Sequence, residues 1–148
     1  ENPLYAVLTR ARMRMVLEAL EEALRSDRAE ERSCPRNLTI EHIMPQGWRE
    51  HWSVSGEDNR LEQEVARDGL IHTIGNLTLL TGPMNGAQSN RPWQATATIP
   101  EGKRSALAKH TVLHLNKDVA DQEVWDDQHI AARASSLFGV AKSIWAPP

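Results

Sequence analysis

A carboxylate and an imidazole stand side by side at the end of a short apolar segment. The segment is LTIEHIMPQ, residues 38–46, in which Glu41 and His42 precede Pro45. Burying such a pair is costly unless something binds or reacts there. Histidine is the usual catalytic base near neutral pH, and carboxylate oxygens bind hard cations. The pair therefore suggests a hydrolytic site that joins a base to a metal ion.

A second polar group follows in HTIGNLTLLTGPMNGAQSN, residues 72–90. Asn76 and Asn85 are nine residues apart and flank LTLLTGPM. A strand, a turn and a short helix would bring Asn85 back towards the first strand. On a regular strand, adjacent residues such as Glu41 and His42 point to opposite faces. Both serve one site only if the chain twists at the strand end or the metal lies at its edge.

Three blocks in order, EHIMPQ, GNLTLL and NGAQSN, resemble the ββα-metal, or HNH, nuclease motif. More narrowly, the sequence is similar to the HNH domain at the C-terminus of GmrSD-type modification-dependent restriction enzymes. Related anti-phage proteins of the SspE type end in the same domain. The flanking segments RMRMVLEALEEAL and VWDDQHIAARASSLFGVAKSIW also resemble that family. The resemblance therefore spans nearly the whole chain.

The resemblance implies a role for each matching residue. His42 is the general base that activates water, and Glu41 is the acidic metal ligand before it. Asn76 bonds backbone and holds the loop that carries the base. Asn85 is the last metal ligand, where many HNH enzymes have histidine. An all-oxygen ligand set of this kind favours Mg²⁺ or Mn²⁺ over Zn²⁺ or Ni²⁺.

Simpler interpretations of these residues stay open. Asn85 and Gly86 form a common turn pair, and Asn76 after Gly75 fits a turn as well. His72 supports the base or lines a DNA groove, or else it is a packed strand residue.

Three further polar residues have no role implied by the resemblance. Asn90, Lys103 and Arg104 are candidates for phosphate contact by charge and position only.

The positions of apolar and turn-forming residues predict an α+β fold, with a ββα-metal core at 38–93 between helical flanks at 1–30 and 101–146. We interpret residues 1–148 as a single domain cut from a larger protein. The predicted segments are a helix over 4–25, a linker over 26–37, a strand over 38–43, an irregular charged segment over 47–69, a β-rich segment over 71–80 with a bend at Gly75, at most a short helix within 81–93, and helices over 101–114 and 123–145.

Composition limits the class of protein. The net charge is −3 and there is no basic tail, so strong attraction of the whole domain to DNA is not expected. No apolar run approaches the length of a membrane span, and the single cysteine, Cys34, excludes an internal disulfide. These features favour a cytoplasmic protein without a membrane partner.

The resemblance implies a metal-dependent DNA endonuclease, the effector domain of an anti-phage restriction protein. Its partners would be DNA and an N-terminal domain that senses modification and hydrolyses nucleotide. Two alternatives remain: a non-catalytic DNA-binding or assembly module on an HNH scaffold, and an RNase or toxin nuclease. Site chemistry alone does not separate DNA from RNA.

Overall fold

The computed structural model describes residues 4–26, 34–54, 58–82, 89–109 and 113–146. Within them the chain forms a mixed α+β fold with six α-helices and one two-stranded sheet. The elements are α1 (Leu4–Val7), α2 (Arg10–Ser26), β1 (Thr39–His42), α3 (Arg60–Leu70), β2 (Leu77–Leu80), α4 (Lys103–Lys109), α5 (His114–Ala120) and α6 (Asp127–Ile144), with 3₁₀ turns at Trp48–Glu50 and Ile74–Asn76.

The sheet is an antiparallel pair in which β1 runs from Thr39 opposite Leu80 to His42 opposite Leu77. All four residues of β2 are buried. A two-stranded ribbon is marginal alone and needs cover from helices. Here the helices cover the ribbon on both sides, and the end of β1 lies between two apolar clusters.

The two clusters divide the core. One contains four tryptophans from loops and turns, together with residues from both strand ends: Ile43, Met44, Trp48, Trp52, Ile71, Leu80, Trp93, Leu107, Val119, Trp125 and Ile130. The other packs α2 and α6 against the ribbon through Met13, Leu17, Leu20, Leu38, Leu77, Leu79, Leu113, Leu115 and Leu137. The helix predicted over 4–25 is thereby confirmed from residue 10 onwards, with α1 as a separate short turn before it.

The prediction of an irregular segment over 47–69 is wrong for its second half, which contains α3. This helix has no inward apolar stripe, since Leu61 and Val65 are 76% and 65% exposed. Its inward residue is Arg67, whose Nε donates to Asp127 Oδ1 at 2.7 Å. A partly buried ion pair replaces the apolar periodicity from which a helix is predicted.

Three other boundaries also differ from the prediction. The helix predicted over 101–114 is two helices, α4 and α5, with residues 110–112 outside the described part. The helix predicted over 123–145 begins only at Asp127, because the Asp126 side chain caps it by accepting from His129 N at 3.0 Å. The β-rich segment 71–80 is a strand only from Leu77, after a 3₁₀ turn that contains Gly75.

The third element of the predicted ββα-metal core falls mostly on residues 83–88, which lie outside the described residues. Asn85 is one of them. Most of the predicted linker, at 27–33, also lies outside the described residues. The helix of the motif therefore stays a prediction. Among the described helices, none is long and apolar enough to cross a membrane.

Candidate active site

His42 is the last residue of β1, and its side chain is almost enclosed, with 8% of the residue exposed. The ring of Tyr5 packs edge-on against it, with ring centroids 4.5 Å apart. His42 Nε2 lies 3.4 Å from His72 Nδ1, and Gln46 Nε2 lies 3.5 Å from His42 Nδ1. His72 in turn stacks on Tyr5 at 5.8 Å. The imidazole is thus fixed in place by two rings and one amide.

These surroundings keep the imidazole neutral. The pKa of His42 is lowered from 6.5 to about 3. Burial is the largest cause, and the nearby charges of His72, Lys103 and Arg10 act in the same direction. Desolvation disfavours the charged form of a base, and neighbouring cations act in the same direction. A neutral imidazole has a free lone pair, which a proton acceptor requires.

Glu41 lies on the other face of β1 and is paired with a buried lysine. Its Oε1 accepts from Lys103 Nζ at 2.7 Å and from Ser89 Oγ at 2.9 Å. Lys103 Nζ also donates to the carbonyls of Ser89, at 2.7 Å, and of His42. Each proton of the ammonium thus has an acceptor. Burial lowers the pKa of Lys103, and the neighbouring Glu41 raises it in opposition.

Asn76 ties the loop after His42 to the segment that leads into β2. Its Oδ1 accepts from Met44 N at 2.7 Å and from Trp125 Nε1 at 3.3 Å. Its Nδ2 donates to the carbonyls of Met44, at 2.8 Å, and of Ile71, at 3.1 Å. The amide is fully buried and all its bonding capacity is used inside the protein. Asn76 therefore acts here as a structural residue and has no free group for a ligand.

The structure brings His42, Glu41, Asn76 and His72 together at the end of β1. The side chains of Glu41 and His42 are on opposite faces, and Lys103 connects them by bonding the carboxylate of one and the carbonyl of the other.

Two candidate phosphate contacts lie elsewhere, and Asn85 is outside the described residues. Asn90 is exposed beside Gly47, where an added Cβ would meet Asn90 Oδ1 at 3.6 Å. Arg104 Nε donates to Ala120 O at 2.8 Å and so joins α4 to the end of α5.

Comparison with known families identifies the chain. The family model described as GmrSD restriction endonucleases, C-terminal domain, matches residues 1–140. The chain belongs to this family. The resemblance seen in the sequence motifs is thereby confirmed at the level of the GmrSD C-terminal family. No curated protein matches the chain. No solved structure matches it either.

In this GmrSD C-terminal domain, the described residues contain no group of three or more His, Cys, Asp or Glu side chains that could hold a metal ion. Glu41 supplies an acidic side chain at the end of β1. Both of its hydrogen bonds within the described part use Oε1, and the side chain is 14% exposed. Its second oxygen, Oε2, makes no hydrogen bond within the described residues, while Oε1 is paired with the Lys103 ammonium. Carboxylate oxygens are the ligand type that Mg²⁺ or Mn²⁺ takes in proteins.

Sequence reasoning did not find how this site of the GmrSD C-terminal domain is held together: it named Lys103 only as a candidate phosphate contact, whereas the side chain is fully buried and bonded within the protein. Lys103 and Ser89 bond Glu41, while Tyr5 and Gln46 contact His42. Lys103 lies more than sixty residues from Glu41, and its neighbours in sequence are ordinary helix residues. Nothing in the local pattern marks it as buried. Tyr5 is the only tyrosine of the chain, which was the one available signal.

Proposed function

We propose that this chain is a metal-dependent DNA endonuclease domain in which His42 activates the water that attacks a phosphodiester. The observation that carries the proposal is the enclosed imidazole of His42, which Tyr5, His72 and Gln46 hold at the end of β1, one residue after Glu41. Membership of the GmrSD restriction endonuclease family supports the nuclease assignment and DNA as the substrate.

The chain's own residues would divide the work as follows. His42 accepts the proton of the attacking water, and Asn76 keeps the Met44 backbone, and with it the loop after His42, in position. Glu41 offers Oε2 to a divalent ion while Lys103 fixes Oε1. A bound Mg²⁺ or Mn²⁺ would neutralise charge on the phosphate and on the leaving oxygen.

Asn85 belongs to the proposal as the second protein ligand. Ser89, four residues after Asn85 in the sequence, is hydrogen-bonded to Glu41 through Oγ at 2.9 Å. The chain therefore returns to Glu41 shortly after Asn85, which supports a shared ligand role for the two residues. One carboxylate and one amide would hold the ion only weakly in the absence of DNA.

In the cell, we propose that this domain is the effector of a cytoplasmic anti-phage restriction protein. An N-terminal domain of the same protein would sense DNA modification and hydrolyse nucleotide. Both statements extend from the family to this chain.

Plasmid cleavage tests the proposal. The 148-residue chain is incubated with supercoiled plasmid and Mg²⁺ or Mn²⁺, and open-circular and linear products are followed on a gel. We expect cleavage that EDTA abolishes. His42→Ala, purified in the same way and shown to be folded by circular dichroism, should cut more slowly by about 10²–10⁴, the usual loss when a general base is removed.

Three results would contradict this function. A folded His42→Ala protein that cuts at the wild-type rate would place the base elsewhere. Tight DNA binding without cleavage would favour a non-catalytic module on the same scaffold. Cleavage of RNA, with plasmid left intact, would favour an RNase.

A further inference from the structure

A groove lies between the start of α2 and the outer side of β1. Its volume is about 330 Å³, and it is lined by Tyr5, Arg10, Ala11, Arg14, Leu38, Thr39 and Ile40. The two arginines are four residues apart on one helix, so they lie on the same face of α2. The groove is thus basic on the helix side and apolar on the strand side.

The groove leads to the proposed base. Ile40 and His42 lie on one face of β1, and Leu38 comes immediately before the strand. His42 is two residues beyond Ile40, a distance of about 7 Å along a strand. Tyr5 is a wall of the groove and also contacts the His42 ring, with centroids 4.5 Å apart. A chain lying in the groove would therefore reach His42 past Tyr5.

The charge at the groove is concentrated although the whole chain is acidic. Arg10 and Arg14 are exposed, and the first turn of α2 contains no acidic residue. A cation in the first turn of a helix, such as Arg10, is unfavourable because it opposes the helix dipole. An anion in the groove would offset this cost. Arg14 has a partial partner, Glu18, at 3.5 Å, in a contact that is half exposed.

We propose that this groove is the binding site for the DNA backbone beside the scissile phosphodiester, with Arg10 and Arg14 bonding its phosphates. The inference rests on the proposed endonuclease function and adds the residues that position its substrate. The half-buried side chain of Ile40 suits the sugar face of the strand, and the exposed arginines suit its phosphates. Guanidinium groups bind phosphate oxygens through paired N–H donors.

The test is DNA binding by the 148-residue chain with EDTA present, so that no cleavage occurs. The variants are Arg10→Ala, Arg14→Ala and the double variant. Arg12→Ala is the matched control, because Arg12 is exposed on the same helix and does not line the groove. Affinity for a short fluorescent duplex is measured over a series of salt concentrations.

We expect the double variant to reduce the slope of log affinity against log salt by about 1.8, which is about 0.9 for each lost phosphate contact. Arg12→Ala should keep the wild-type slope. A double variant with the wild-type slope would overturn the groove assignment. An equal loss in Arg12→Ala would overturn it too, since the attraction would then come from charge in general. Tighter arginine-dependent binding of RNA of the same sequence would overturn the choice of DNA.

Cleavage assays keep this inference separate from the proposed function. If the wild-type chain cuts plasmid and the arginine variants cut with unchanged KM, the groove assignment fails and the endonuclease stands. If no cleavage is found but the double variant still loses its salt slope, the groove stands and the endonuclease fails.

Discussion

The imidazole of His42 is held neutral by the same surroundings that enclose it. A pKa of about 3 makes it available as a proton acceptor at neutral pH, but also a weak base. General-base catalysis is most efficient when the pKa lies near the working pH. A phosphate anion bound near Arg10 would cancel part of the positive field that lowers this pKa. Burial is the larger cause of the low pKa, so most of the lowering would persist with substrate bound.

The low pKa of His42 predicts a loss of stability in mild acid. The unfolded chain binds a proton near pH 6.5 and the folded chain only near pH 3, so between these values the unfolded state holds more protons. The free energy of unfolding therefore falls as the pH falls through this window, and His42 adds no pH dependence above it. From pH 6.5 to 5 we expect a loss of about 1.6 kcal/mol from this residue. Urea unfolding at several pH values measures it.

His42→Gln is the control for that measurement, because glutamine is polar, does not titrate and is similar in length. The difference in stability between wild type and His42→Gln should move in favour of the variant as the pH falls from 6.5 to 5. Two parallel curves would show that His42 is already protonated in the folded protein and that its pKa is not lowered.

Asn76 should matter for activity through the position of the loop after His42. Asn76→Asp keeps the shape but removes both donors, so the carbonyls of Met44 and Ile71 would face a buried carboxylate. We expect a loss of about 3 kcal/mol in unfolding free energy. Cleavage should fall even at a temperature where the variant is folded. The affinity for Mn²⁺, measured by calorimetry, should change little.

Asn116→Asp is the matched variant. Asn116 is also fully buried, but it joins α5 to β2 by donating to Leu79 O at 2.8 Å and accepting from Thr78 Oγ1. It should cost stability and leave cleavage by the folded protein unchanged. Equal loss of cleavage in both variants would mean that Asn76 acts only through general stability. Loss of the Mn²⁺ site in Asn76→Asp would make Asn76 a ligand.

At the scale of elements, the turn before β2 is held against α6 by a close backbone approach. A Cβ added at Gly75 would meet Ile130 O at 2.1 Å, which no real contact allows. Arg133 on α6 donates to the carbonyls of Gly75 and Leu77, both at 2.8 Å. This packing sets the position of Asn76, the next residue after Gly75, and therefore the loop of His42.

Gly75→Ala should destabilise the domain, because the obstacle is backbone and cannot rotate away. Overpacking of this kind costs about 1–3 kcal/mol, and here we expect at least the upper end. Gly139→Ala on α6 is the control, since nothing lies within 4 Å of the added Cβ. It should stabilise the protein by about 0.5–1 kcal/mol, as alanine is the better helix residue. Thermal unfolding measures both; a Gly75→Ala protein as stable as wild type would contradict the close approach.

Elements with an apolar stripe were predictable from the sequence, and the others were not. The helix α2 follows from Met13, Leu17 and Leu20, all of which are fully buried. The helix α3 does not follow, because its inward contacts are polar. Trp145, a large apolar residue just after the last helix, is 51% exposed. Local pattern records which residues are apolar, not which partners they meet.

For the site, the sequence indicated the end of β1 and two residues there, Glu41 and His42, whose side chains lie on opposite faces of the strand. It did not indicate how the charge of Glu41 is compensated, since its partner, Lys103, lies on α4, far from Glu41 in the sequence. A buried lysine looks the same in sequence as an exposed one. Motifs therefore predict the groups that carry chemistry better than the groups that hold them.

At the scale of the molecule, an acidic chain that acts on DNA must attract it locally. The net charge of −3 gives no general attraction, so the basic groove at α2 would carry most of the salt-dependent binding. Lys103 adds no charge to this surface, because it is fully buried and paired. Arg10 and Arg14 would thus contact the substrate, whereas Lys103 holds separate segments of the chain together.

Lys103 joins three segments that are distant in sequence, namely the end of β1, the chain at Ser89 and the start of α4. Lys103→Met keeps much of the volume but leaves Glu41 and two carbonyls without their donor. Removing one partner of a buried pair costs about 3–5 kcal/mol, and we expect a loss of this size in urea unfolding. Lys109→Met is the matched control at the other end of α4, where the lysine side chain is 68% exposed and paired with Glu101. An exposed pair contributes about 1 kcal/mol or less.

Glu41→Gln combined with Lys103→Met should recover part of the loss, since no buried charge then stays unpaired. If Lys103→Met proves as stable as Lys109→Met, then Lys103 does not hold these segments, and the position of Glu41 beside His42 must depend on the apolar clusters alone.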